Sequence, residues 1–167
     1  MGWLTVVLYA IGTWQSYRVA TLPSARLRSS EGLLWWVFVY GLLALGINKQ
    51  LDLQSALTEI GRMLATQYGW YEQRHLVQTF FIYCVAIFAT SATIFMLYFA
   101  RKAPLATIFA LIGSIFLLAF VFIRAASFHH FDIFIHSAIL GVKVNWIMEM
   151  GGISIIIASG VWRLNVD

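Results

Sequence analysis

Glu149 is the residue of greatest chemical consequence in this sequence. It stands in the string NWIMEMGG (145–152), inside an apolar stretch that runs to Trp162. A carboxylate is expensive to hold in hydrocarbon, and it normally faces a partner, a cavity or a functional path. Counted from a span that starts at Ile139, Glu149 lies about 15 Å along the helix at 1.5 Å per residue, near mid-bilayer. Asn145 sits one turn above it on the same face and Gly152 about one turn below. A face that is polar and then small suits the interior of a helical bundle. Arg124, Lys49 and Arg74 are the cations that could neutralise Glu149. The commoner role for such an acid is an ion pair that ties helices together. The rarer one is proton, ion or substrate handling, with Glu149, Asp132 and His130 as the acid–base groups.

The second candidate is FHHFDIFIH (128–136). If it is helical, His129, Asp132 and His136 share one face. Two imidazoles and a carboxylate are a ligand set for zinc or another transition metal. Glu149 or His75 could complete it. No HExxH is present, and histidines at a membrane interface need no metal. Haem is a further option, since facing histidines can ligate its iron. All four histidines fall near one face, so such a haem would be shallow. The cofactor is thus undetermined.

The third candidate is NKQLDLQ (48–54), dense in donors and acceptors at a helix end. Its side chains can satisfy the last carbonyls of the helix, and Lys49 can reach toward the interface. Lys49, Asp52, Arg74, Gln78, Arg124 and Asn145 are the residues expected to bind a substrate or form ion pairs, with Lys49 and Arg124 suited to an anionic group.

The elements that must position these groups follow from where charge is missing. Only 11% of the 167 residues are charged and 61% are hydrophobic, with a mean hydropathy of +0.82. A soluble protein of this size needs polar groups over its outside; lipid removes that need. About 20 apolar residues carry a helix across the hydrocarbon. The chain reads as one all-α integral membrane domain, residues 1–167, with five spans: Trp3–Tyr17, Leu33–Asn48, Leu76–Ala100, Pro104–Ile123 and Ile139–Trp162. Four is the alternative, because Trp3–Tyr17 is short and carries Gln15 and Ser16. Pro104 is placed near a first helical turn. The segment Leu51–Gln67 is too polar to cross. Leu53, Ala56, Leu57, Ile60, Met63 and Leu64 share one face, and Asp52, Ser55, Glu59, Arg62 and Thr66 the other. It reads as an amphipathic helix lying along the interface, followed by Tyr68, Trp70 and Tyr71 at headgroup level.

Loop charge orients the bundle. Arg18, Arg26 and Arg28 face a single Glu31; Arg101 and Lys102 face no acid; Arg163 stands with Asp167. Basic loops stay cytoplasmic. The N-terminus then lies outside and the C-terminus in the cytoplasm, with the chain in the inner membrane. Polar groups from several spans converge on the outer half, and the cytoplasmic half holds only anchoring arginines. The lone Cys84 reads as a small buried apolar residue. The pI near 9.5 reflects these loops, and no nucleic-acid motif accompanies it.

The strings NKQLDLQ (48–54), GWYEQR (69–74), RAASFHH (124–130) and NWIMEMGG (145–152) resemble those of small multi-pass bacterial membrane proteins of uncharacterised function. The likeness covers most of the chain from Trp35 onward and implies no activity. No phosphate-binding loop, dinucleotide glycine pattern, GxSxG elbow or iron–sulfur cysteine set is present. The expected function is an accessory or assembly component of a membrane complex, meeting the bilayer and another membrane subunit or a second copy of itself. The alternative is a membrane-embedded enzyme or a proton- or ion-handling protein with a His/Asp/Glu site near the outer face.

Overall fold

The computed structural model describes residues 2–27, 29–51, 59–61, 63–64, 66–69, 74–101, 103–126, 138–139 and 142–166. Its elements are α1 (Gly2–Ala20), the single-turn α2 (Pro23–Leu27), α3 (Ser29–Leu51), α4 (Arg74–Ala100), α5 (Leu105–Ala126), β1 (Ala138–Ile139), β2 (Val142–Lys143) and α6 (Val144–Asn165). The two strands pair antiparallel, Ile139 opposite Val142. Among the described residues, four helices are long and apolar enough to cross a membrane, over Ser30–Leu51, Thr79–Tyr98, Leu105–Arg124 and Trp146–Asn165. The first expected span is present as α1, 19 residues long, but its polar residues keep it out of that set. Pro104 stands just ahead of α5, and its carbonyl accepts the Ile108 N–H at 3.1 Å. This is the placement that a missing proline N–H allows.

Interdigitating side chains set the helix directions. A Cβ on Gly12 would lie 3.1 Å from Leu42, and one on Gly46 would lie 3.1 Å from Tyr9. The rings of Tyr17 and Trp36 meet edge-on, 5.8 Å apart. Partners thus advance along α1 as they recede along α3, so the two helices run antiparallel over most of their length. Gly12 also faces Ile153, and Gln15 faces Gly160, which makes α1 and α6 parallel. The less apolar α1 is therefore screened on two sides by protein.

The closest approach is between α5 and α6. A Cβ on Gly113 would come within 2.8 Å of the Gly152 carbonyl, and one on Gly152 within 2.9 Å of the Gly113 carbonyl. Such backbone proximity is available only to glycine and is a common way for helices to associate in lipid. Around this crossing lie two apolar clusters. One contains Tyr9, Leu42, Leu117, Ile153 and Ile156. The other contains Val19, Leu34, Trp35, Phe38, Met96 and Ala110. By contrast, only 6% of the spanning window of α4 is buried. Phe80, Tyr83, Ile87, Phe88 and Ile94 are open on its outside. Cys84 is also exposed there, so its apolar setting comes from outside the bundle, contrary to the buried position expected for it.

Residues 59–61, 63–64 and 66–67 are helical. The turn closes with the Tyr68 N–H on the Leu64 carbonyl at 2.9 Å and Gly69 at φ 74, a left-handed position favoured by glycine. Ile60, Met63 and Leu64 are exposed. The rest of the expected amphipathic face lies outside the described residues.

Adjacent glycines offer a controlled test of this packing. Gly152→Ala is expected to lower stability by about 1–3 kcal/mol through overpacking. Gly151→Ala, whose Cβ meets nothing within 4 Å, should be neutral or stabilising by up to about 1 kcal/mol. Denaturant unfolding of both variants in detergent micelles gives the comparison.

Candidate functional site: buried ion pairs at the two ends of the bundle

Glu149 sits where α1, α3 and α6 meet. Because α6 begins at Val144, Glu149 is only about 7.5 Å into the helix at 1.5 Å per residue. The helix thus starts later than the Ile139 start expected from sequence: Ala138–Ile139 and Val142–Lys143 pair as strands. Glu149 is 2% exposed. Lys49 Nζ donates to Glu149 Oε2 at 2.9 Å, and the Tyr9 hydroxyl donates to Oε1 at 3.3 Å. Both carboxylate oxygens are thus engaged, from two different helices. Tyr9 reaches the acid because Gly46 leaves room for its ring. The Lys49 side chain keeps 21% of its surface open, against 3% for Glu149. It lies in the last turn of α3, where the carbonyl end of the helix favours a cation.

Beside this pair is a cavity of about 190 Å³, room for several waters. Its polar wall is Tyr9, Asn48, Lys49, Arg124 and Glu149. Arg124 comes from the last turn of α5. Two of the cations proposed from sequence as partners of Glu149 therefore share one cavity with it, and Lys49 makes the direct bond.

The opposite end of the bundle holds a second buried pair. Arg163 Nε donates to Glu31 Oε1 at 2.8 Å, with the Arg163 and Glu31 side chains 7% and 1% exposed. The Thr107 hydroxyl donates to the same oxygen at 3.1 Å, and the Trp35 indole N–H donates to Thr107 Oγ at 3.1 Å. Arg163 Nη2 donates to Ser24 Oγ at 3.0 Å. The network joins α2, α3, α5 and α6. Nearby helix faces also bury Ser16 Oγ and Gln15 Oε1, which, like Glu31 Oε2, make no hydrogen bond among the described residues. The expectation that this end carries only anchoring arginines is overturned. In sequence Glu31 reads as a loop charge beside Arg18, Arg26 and Arg28, yet it lies in the first turn of α3. No local pattern joins it to Arg163, which is 132 residues away. Tyr9 gives no signal in sequence for the simpler reason that it carries no charge, yet it bonds Glu149.

Residues expected elsewhere in the site are not all described. Asp52, His129, His130, Asp132 and His136 lie outside the described residues. So do the side chains of Arg74, His75, Gln78 and Asn145. Among the described residues, no group of three His, Cys, Asp or Glu side chains is placed to hold a metal. No family model, curated protein or solved structure matches the chain.

The inner network can be probed by removing one partner at a time. Arg163→Met leaves the Glu31 charge buried and alone, and should cost about 3–5 kcal/mol. Trp35→Phe keeps most of the ring packing and loses one donor, for about 1 kcal/mol. Thermal unfolding in detergent would rank the two.

Proposed function

We propose that the chain is a non-enzymatic component of a membrane complex, an accessory or assembly subunit. The observation that carries this reading is the state of Glu149. A general acid or base must present an oxygen to its substrate, and both Glu149 oxygens already accept bonds from Tyr9 and Lys49. Glu31 is held through Oε1 alone, by Arg163 and Thr107, and its Oε2 is buried without a hydrogen-bond partner among the described residues. The most deeply buried acids act as fasteners between helices. The partner surface is α4, packed mainly on α5 and open over Phe80, Ile87 and Phe88.

In this reading five helices cross the inner membrane. The N-terminus is outside, the C-terminus is cytoplasmic, and the 51–67 segment lies along the outer interface. The support for α1 as a crossing helix is its antiparallel run against α3, from Tyr9 at Gly46 to Tyr17 at Trp36. The competing reading is a membrane-embedded His/Asp/Glu site, and the cavity beside Glu149 favours it to the extent that it admits a ligand.

Two measurements separate these readings. Purification in mild detergent should recover a second subunit in fixed proportion, and Phe80→Ala with Phe88→Ala should reduce its recovery. A chain that instead purifies alone with stoichiometric metal, lost on His129→Ala or His136→Ala, would establish the competing site. Sidedness is checked in a Cys84→Ala background: single cysteines at Gly69 and Arg101 should label from opposite faces of the membrane.

A further inference from the structure

We propose that α4 is a lateral lid, hinged at its inner end, that opens and closes the cavity beside the Lys49–Glu149 pair toward the lipid. It goes beyond the accessory role and does not depend on it. Its basis is a wedge between α4 and α5 that shows on both helices. Among the described residues of α4, only Met96 and Ala100 are buried, and both belong to its last two turns. They pack into the cluster of Trp35, Phe38, Ala110 and Leu111, and the Ser114 hydroxyl lies 3.4 Å from Met96 Sδ. The chain then turns at once toward α5, with the Ala103 N–H on the Ala100 carbonyl at 2.9 Å. The inner end of α4 is thus pinned. Further out, Ala92, Ala89, Ala86, Val85 and Ile82 continue the face of Met96 at helical spacing, yet they are only half-buried. The facing stripe of α5 changes in step. Leu111 and Ser114 are buried, whereas Leu118 and Val121, one and two turns further on, are half-buried. Where the wedge is widest it becomes the cavity, with Phe81 and Val85 of α4 across from Phe120 and Val121 of α5.

The side chains that α4 turns into the wedge are short. Small residues let membrane helices approach closely, and α5 and α6 use Gly113 and Gly152 in that way. Ala86, Ala89 and Ala92 are left half-open instead, so the wedge can still narrow. A swing about the inner hinge would bring these alanines onto Leu118 and Val121 and carry Phe81 and Val85 into the cavity. The bonds described above for the two buried ion pairs all lie on α1, α2, α3, α5 and α6, so the swing leaves them in place. A segment with few buried apolar contacts is also the part of a fold that moves at lowest cost, and hinges of this kind sit at element ends. The position of α4 therefore sets how far the cavity beside Glu149 communicates with the bilayer.

Distances between spin-label pairs test the lid in full-length protein carrying Cys84→Ala, reconstituted in phosphatidylcholine nanodiscs. Labels at Tyr83→Cys and Ile147→Cys report the outer half of α4 against the start of α6. Labels at Leu97→Cys and Val161→Cys report the inner end. All four positions are exposed. Double electron–electron resonance should give two distance populations for the outer pair and one for the inner pair. Ala86→Leu adds bulk to the inward face of α4. It should deplete the shorter outer population and leave the inner distance unchanged. A single outer population as narrow as the inner one overturns the proposal, and so do two outer populations that Ala86→Leu leaves in the same ratio. The first comparison needs no substitution on the inward face, so it decides the matter where Ala86→Leu fails to fold. Neither result bears on recovery of a second subunit, so the accessory reading stands or falls separately.

Discussion

A carboxylate cannot remain ionised inside a helical bundle unless a cation and hydrogen-bond donors meet it there, and among the described residues two buried carboxylates are met in this way. Each is met by helices distant in sequence. Glu149 of α6 takes Lys49 from α3 and Tyr9 from α1. Glu31 of α3 takes Arg163 from α6 and Thr107 from α5. The pairs are reciprocal, since α3 supplies the base at one end and the acid at the other, and α6 the converse. At 1.5 Å per residue they stand about 27 Å apart along α3 and about 21 Å apart along α6, approaching the ~30 Å depth of a bilayer's hydrocarbon. Both therefore lie toward the ends of the helices, where the desolvation cost of a charge is lower than at the middle.

This arrangement explains why the interior between the pairs can be so plain. The crossing of α5 and α6 needs only small residues, Gly113 and Gly152, and dispersion contacts from Leu117, Ile153 and Ile156. Lipid gives helices little hydrophobic incentive to associate, so close packing and polar bonds must supply the specificity. Two buried ion pairs at opposite ends set rotation and register at once: sliding α6 by one residue against α3 would break both.

How much of this was legible in the sequence depended on whether the signal was local. The uncharged runs of α4 and α5 stood out, because composition over 20 residues is a local property. Glu149 stood out for the same reason, as an acid in an apolar stretch, and Lys49 was among its named partners. The start of its helix was less legible, because Ile139 and Val142 are as apolar as a helix start would be, while pairing as strands. The Glu31–Arg163 pair is not legible, because a charge near a helix end looks the same in sequence whether it meets solvent or a partner 132 residues away. Tyr9 could have been found only by asking which uncharged donors on a weakly apolar helix lie level with the acid. Cys84 shows the converse limit, since an apolar neighbourhood in sequence does not distinguish the bundle interior from its outer surface.

The central claim is that buried acid–base pairs fasten this bundle. Its most direct test is a double-mutant cycle on Lys49 and Glu149, read as unfolding free energy in detergent. Glu149→Leu and Lys49→Met alone should each be strongly destabilising, by about 3–5 kcal/mol for a pair left half-broken. The double variant should recover much of that loss, because no charge is then left alone. Single variants that cost little and add without coupling would contradict the account, since Glu149 would then be holding nothing in place.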